Sequence, residues 1–228
     1  MNYYILLEDE KSFIKILPSW MEHIGIKCDR VPDICHVEKN NYILQSGQGV
    51  TQLVTKVLYD TIDTILQSDK RIDELIVILD SEDMEADARK QQVYEKINEK
   101  YRMETLPFKI VVLVCNRCFE TWLLGKKDLY PKEIVEESSF FYPYYMHYNI
   151  DQKDPEHMMV PENVEETIGK YHFHYLHELF RYKNMRYTKK RPQCVATEEY
   201  FQGILERIKE TNQLISFQEF YNYFKSMI

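Results

Sequence analysis

Leu75-Ile76-Val77-Ile78-Leu79-Asp80-Ser81-Glu82-Asp83 is a run of five apolar residues leading without a break into an acidic cluster. A short continuous apolar run is the pattern of a strand buried on both faces, as strands of parallel sheets are. In an open parallel sheet the ligand crevice lies outside the carboxyl ends of the strands. Asp80, Glu82 and Asp83 therefore fall at a binding edge. Carboxylates held close together repel one another, so the partner that suits them is a hard divalent cation.

A second acidic strand end lies near the N-terminus. Tyr3-Tyr4-Ile5-Leu6-Leu7 is β-prone and is followed by Glu8, Asp9 and Glu10. Lys11–Gly25 carries Phe13, Ile14, Ile16, Leu17, Trp20, Met21 and Ile24 near helical period, with Gly25 as a stop. Pro18 within that stretch predicts a kink or a break. Two strands of one parallel sheet that release carboxylates at the same edge can bring Glu8 against Asp80.

Working outward, strand and helix signals alternate. Asn41–Ser46 reads as a strand, and Gly47 and Gly49 turn into a helix over about Val50 to Gln67. A charged helix near Met84–Tyr101 follows the opening strand. Phe108–Val114 is the next strand and Cys118–Leu124 a short helix ending at Gly125. This alternation predicts parallel βαβ crossovers and a three-layer α/β domain over residues 1–125. Residues 126–165 are rich in Tyr, Pro, Glu and Asp without a period. Helical patterns then recur at Ile168–Arg181, Thr197–Lys209 and Ser216–Met227, the last opening on Ser216 and Glu219 in a capping-box spacing. Residues 126–228 read as a mostly helical addition.

The 228 residues suffice for one sizeable core, and the net charge of −8 argues against a protein that coats nucleic acid by bulk charge. No run approaches a membrane span, and no basic region with a signal-like segment opens the sequence. Five cysteines, an odd number, predict reduced thiols in a cytoplasm. The expected setting is soluble and cytoplasmic, without a membrane; the sequence leaves a homo-oligomer open.

The order of motifs resembles the TOPRIM domain of topoisomerases, primases and OLD-type nucleases. The likeness rests on Glu8 after the first strand, Gly47 after Asn41–Ser46, and Asp80-Ser81-Glu82-Asp83. Cys115-Asn-Arg-Cys-Phe-Glu-Thr-Trp-Leu-Leu124 is similar to a segment of RloB-like proteins, small TOPRIM proteins often associated with restriction or phage-defence loci. Asp9 stands where the family usually has Gly, and Asp80-x-Glu82 or Asp80-x-x-Asp83 stands for its Asp-x-Asp. The resemblance implies a Rossmann-like TOPRIM sheet whose Glu8, Asp80 and Glu82 or Asp83 hold Mg²⁺ (or Mn²⁺), with Glu120 as a further ligand. It implies a metal-dependent endonuclease in which Glu8, Asp80 and Glu82 are catalytic. Topoisomerases need a strand-passage domain and TOPRIM primases usually carry further parts, and neither fits within this chain. The substrate would be DNA or RNA, including tRNA, and the setting antiviral defence beside a separate ABC-type ATPase. The rival is a non-catalytic binding or regulatory subunit that keeps the fold.

Arg181-Tyr-Lys-Asn-Met-Arg-Tyr-Thr-Lys-Lys-Arg191 holds Arg181, Lys183, Arg186, Lys189, Lys190 and Arg191 with no acid among them. Tyr182 and Tyr187 interleave as stacking faces, so the loop is the expected nucleic-acid contact. Cys115-x-x-Cys118 has no second pair, and Phe119 and Trp122 beside it favour packing over redox or zinc chemistry. His172, His174 and His177 read as exposed helical histidines rather than a zinc site. Phe140–Tyr145 reads as an interface or a core plug.

Overall fold

The computed structural model describes residues 1–228. Five strands form one all-parallel sheet: β1 (Tyr3–Leu7), β2 (Asp29–Val31), β3 (Asn41–Ser46), β4 (Glu74–Asp80) and β5 (Lys109–Cys115), in the order β2-β3-β1-β4-β5. The protein is thus α/β with an open parallel sheet. β1 and Asn41–Ser46 have the expected bounds, and β4 and β5 differ from expectation by a residue at their ends. The three-residue β2, exposed at two of its positions, had carried no apolar signal.

Pleating divides the sheet between two cores. Tyr3, Ile5 and Leu7 of β1, with Ile76 and Ile78 of β4, enter a cluster of 40 buried residues. Tyr4 and Leu6, with Leu75, Val77 and Leu79, enter a second cluster of 20. This two-sided burial is why the opening run reads as continuously apolar rather than alternating.

The smaller core is covered by helices on one face. α2 (Val50–Gln52), a π turn (Leu53–Val57) and α3 (Leu58–Gln67) make one winding, and α4 (Ala86–Lys100) adds Val93 and Ile97. Gly47 permits the approach of this helix to β3, since a Cβ there would lie 2.6 Å from Leu53 Cδ1.

On the other face lie α1 (Phe13–Ile24), α5 (Phe119–Leu124), α6 (Tyr142–His147), α7 (Ile168–Tyr182), α8 (Glu198–Thr211) and α9 (Ile215–Lys225). α1 does not break at Pro18. Phe13, Ile16 and Leu17 before it and Trp20, Met21 and Ile24 after it are buried in the same core, which offsets the roughly 3 kcal/mol of an interior proline. Phe13, Trp20 and Trp122 pack with Phe217 and Phe220 of α9, so residues 126–228 share the larger core with the sheet. Phe141 proves to be a core plug, T-shaped against Tyr175, whereas Phe140 is exposed. No helix is long and apolar enough to cross a membrane.

The capping box predicted at Ser216 does not form. Leu214, in a left-handed conformation, precedes α9, and Ser216 is turned into the core. Its hydroxyl donates to Glu156 and accepts from Trp122 Nε1 at 2.7 Å and from the Asn116 N–H at 3.0 Å. Ser216→Ala leaves those two donors unpartnered. Denaturant melts are expected to show a loss of about 1–3 kcal/mol, the usual cost of orphaned buried polar groups.

Candidate carboxylate centre

The strand order reverses direction between β1 and β4: the chain leaves β1 towards β3 and leaves β4 towards β5. That switch point is where an open α/β sheet offers its crevice. Leu7 is in register with Ile78, so Glu8 and Asp80 emerge together at the carboxyl edge. Glu8 donates its N–H to Ile78 O at 2.9 Å, and its Oε2 accepts from the Asp80 N–H at 2.8 Å. The turn after β3 closes the other side, with the Gly49 N–H donating to Glu8 O at 3.1 Å.

Asp9 accepts from the backbone N–H groups of Ser12 at 2.6 Å and Phe13 at 2.7 Å, and from Ser12 Oγ at 3.0 Å. It therefore caps α1, a role that the sequence did not reveal and that accounts for an acid at this position.

Around Asp80 stand Glu8, Glu82 and Glu120. Asp80 and Glu82 line a cleft with Glu120, Cys118 and Lys189, and a second cleft with Glu8, Asp9 and Lys189. Glu120, in the first turn of α5, is buried at 2 % exposure. Asp83 is exposed to solvent, outside both clefts. Glu82 is directed to the start of α7, where its Oε2 accepts from the Gly169 N–H at 3.3 Å. A Cβ at residue 169 would lie 2.7 Å from that oxygen, so glycine lets the carboxylate and the helix meet.

The electrostatics are adverse. Burial pushes the Asp80 carboxyl well above its usual range, and Glu8, Glu120 and Glu82 push the same way against Lys189. Burial also raises Glu8, opposed by the Asp80 N–H, and raises Glu82, opposed by the Gly169 N–H. Burial and Asp80 lift the Cys115 thiol, while burial and Glu120 lift Cys118, so both are protonated, buried, free thiols. Glu82 and Arg117 sit at φ 52° and 71°, left-handed conformations unusual for such residues, in the turns bordering Asp80. The Glu82 N–H donates to Arg117 O at 2.8 Å, lacing the turns together. Left-handed turns and raised carboxyls are thus gathered at one sheet edge.

Lys189 was expected to face a substrate; instead its ammonium turns inward. Nζ lies 3.2 Å from Glu120 Oε1, with the lysine side chain 41 % exposed and the glutamate 3 %. Burial pulls its pKa down most strongly, but Glu120, with Cys118 and Asp9, pushes the other way and the balance leaves it above the ordinary lysine value. Tyr187, expected to offer a stacking face, is buried, and its hydroxyl donates to Glu120 at 3.4 Å. The other basic residues divide. Arg186, Lys190 and Arg191 are exposed and Lys183 is half-buried, while Arg181 lies 3.5 Å from Glu178 and 3.8 Å from the Phe140 ring. His172 is not exposed: it is buried between Thr121 Oγ1 and Met158 O, and burial lowers it to about 4. His174 and His177 pair instead with Glu166 and Glu178.

The oxygen donors Glu8, Asp80 and Glu120 have the chemistry a hard divalent cation takes. As folded, no three of the protein's Asp, Glu, His or Cys side chains are gathered closely enough to hold a metal ion. Glu8 and Glu82 are each engaged by a backbone N–H, and Lys189 supplies the local positive charge. The chain matches no protein-family model, no curated protein and no solved structure.

Proposed function

We propose that the protein is a metal-dependent endonuclease of TOPRIM type, cutting phosphodiesters at the centre around Asp80. The observation that carries the reading is Asp80 itself: a half-buried acid at the end of β4, lining both clefts and flanked by Glu8, Glu120 and Glu82, whose ionisation the fold disfavours. Such an arrangement calls for a cation, and the acid-free basic segment beside it suits a polyanion. Glu8, Asp80 and Glu120, with Glu82 nearby, would have to draw together to hold Mg²⁺ or Mn²⁺, because the folded chain does not gather three of them for a metal. A bound divalent cation would supply an activated water and charge neutralisation at the scissile phosphate. Glu8, its carboxyl raised by burial, is suited to hold or release a proton. Lys189, freed from Glu120, would stand beside the phosphate oxygens as charge builds on them. The family likeness extends the proposal to phage defence with an ABC-type ATPase as partner.

A second reading is a binding subunit without turnover. The lysine among the carboxylates, which lack a gathered ligand set, favours it.

Incubation with DNA and with total RNA, in Mg²⁺ or Mn²⁺ and in EDTA, separates the two. Cleavage is expected only with metal, and Glu8→Gln is expected to reduce it by about a hundredfold or more. Cleavage that survives in EDTA or is undiminished in the variant overturns the nuclease reading. A silent wild type that still binds nucleic acid supports the second one.

A further inference from the structure

A groove of ≈ 550 Å³ runs between the end of α7 and the loop that follows, lined by Arg181, Arg186, Arg191, Phe180, Met185 and their neighbours with no acid among the lining residues. In a chain with 37 acidic and 29 basic residues, exposed arginines ordinarily find carboxylates. Arg181 does, with Glu178. The guanidinium groups of Arg186 and Arg191 have no hydrogen-bonded or ion-paired partner, although both residues line the same concavity. The loop that presents them is held in place. Asn184, left-handed at φ 55°, ends the helix, the Tyr187 hydroxyl donates to Glu120, and Thr188 and Arg191 bridge across the tip. Lys15 Nζ donates to Lys190 O at 2.9 Å and ties the tip to α1. Unpaired guanidinium forks on a fixed loop are preorganised for phosphate oxygens.

We propose that this groove seats one unpaired nucleotide, with its phosphate on Arg186 and Arg191 and its base against the half-buried Met185. A volume of ≈ 550 Å³ lies within the range of small-molecule sites and is far too small for a duplex. Single strands, by contrast, are bound by positive grooves with apolar faces for splayed bases. Tyr187 lines the groove and also reaches Glu120 of the carboxylate centre, so the seat adjoins that centre. The inference rests on the nuclease reading for its consequence, which is that the centre receives a single strand or a flipped-out nucleotide. The seat itself is defined by the groove alone.

The test is binding by the full chain in EDTA, where no metal-dependent turnover occurs. Adenosine 5′-monophosphate, adenosine and inorganic phosphate compete against a labelled short single-stranded oligonucleotide and, separately, against its duplex. The single strand is expected to bind at least about tenfold tighter than the duplex, with the monophosphate competing and adenosine failing to compete. The double variant Arg186→Ala, Arg191→Ala should lose about tenfold or more and flatten the salt dependence, whereas Lys56→Ala, exposed on the winding over the smaller core, should bind as wild type. Competition by the monophosphate without any gain from a longer strand would assign the seat to a free nucleotide and overturn its role in strand binding. Equal affinity for strand and duplex, or unchanged binding by the double variant, overturns the proposal. Failure of cleavage alone does not touch it, because the readout is binding without metal.

Discussion

Asp80→Asn is expected to make the protein more stable and inactive. The half-buried carboxyl is raised well above its usual value, by loss of solvent first and then by Glu8, Glu120 and Glu82. A carboxyl raised in the folded state binds its proton more tightly there than in the unfolded chain. Folded stability is therefore lost as pH climbs from the ordinary value of 3.8 through the folded-state value. Asparagine removes that penalty. Its melting temperature should exceed wild type at neutral pH by about 2–4 °C for each kcal/mol relieved, and the gap should close at pH 3.5 or so, below the ordinary carboxyl value. Saturating Mn²⁺ should raise wild type on the order of 5–10 °C at a hundred times its dissociation constant, and leave the variant behind. Cleavage should fall by about a thousandfold. A variant less stable than wild type at pH 7 would show that the carboxylate is a structural hydrogen-bonding group.

Lys189→Met carries the second large effect, of opposite sign. The methionine keeps the stem and removes the charge facing Glu120, which is 3 % exposed and closely flanked by Asp80. The pair is half open, so its loss should cost between the ~1 kcal/mol of an exposed pair and the ~3 kcal/mol of a buried one. Millimolar Mn²⁺ should recover that loss, and the variant should bind Mn²⁺ more tightly than wild type, because no ammonium need be displaced. Calorimetry that finds weaker binding in the variant would make Lys189 a supporter of the cation rather than its competitor.

Much of the fold was legible because the burial is two-sided. A strand covered on both faces must be apolar at every position, so Tyr3–Leu7 and Leu75–Leu79 declare themselves, and the rule for parallel sheets brings Glu8 and Asp80 to one edge. β2 was hidden, because three residues with two exposed carry no pattern. Pro18 misled because local cost is visible in sequence, whereas the burial of Phe13 and Trp20 that offsets it is not. Ser216 misled in the same way: the capping spacing is local, but its partners Glu156, Asn116 and Trp122 are 60, 100 and 94 residues away. Within the site, the inward turn of Lys189 was illegible, since nothing in a run of cations says which one faces a distant glutamate. Asp9 looked like a departure from a motif until its contacts with Ser12 and Phe13 at the start of α1 gave it a capping role.

The shared larger core also sets an order of events at the ribosome. β5 emerges about a hundred residues before Phe217, Phe220 and Phe224, which cover Trp122 and Phe13. At about 5–20 residues per second, the part of this face that α9 covers stays open for about 5–20 s. The nascent chain thus passes through a sticky interval in which its aromatic face is open to chaperones or to its own kind, and that interval closes only when α9 has been made.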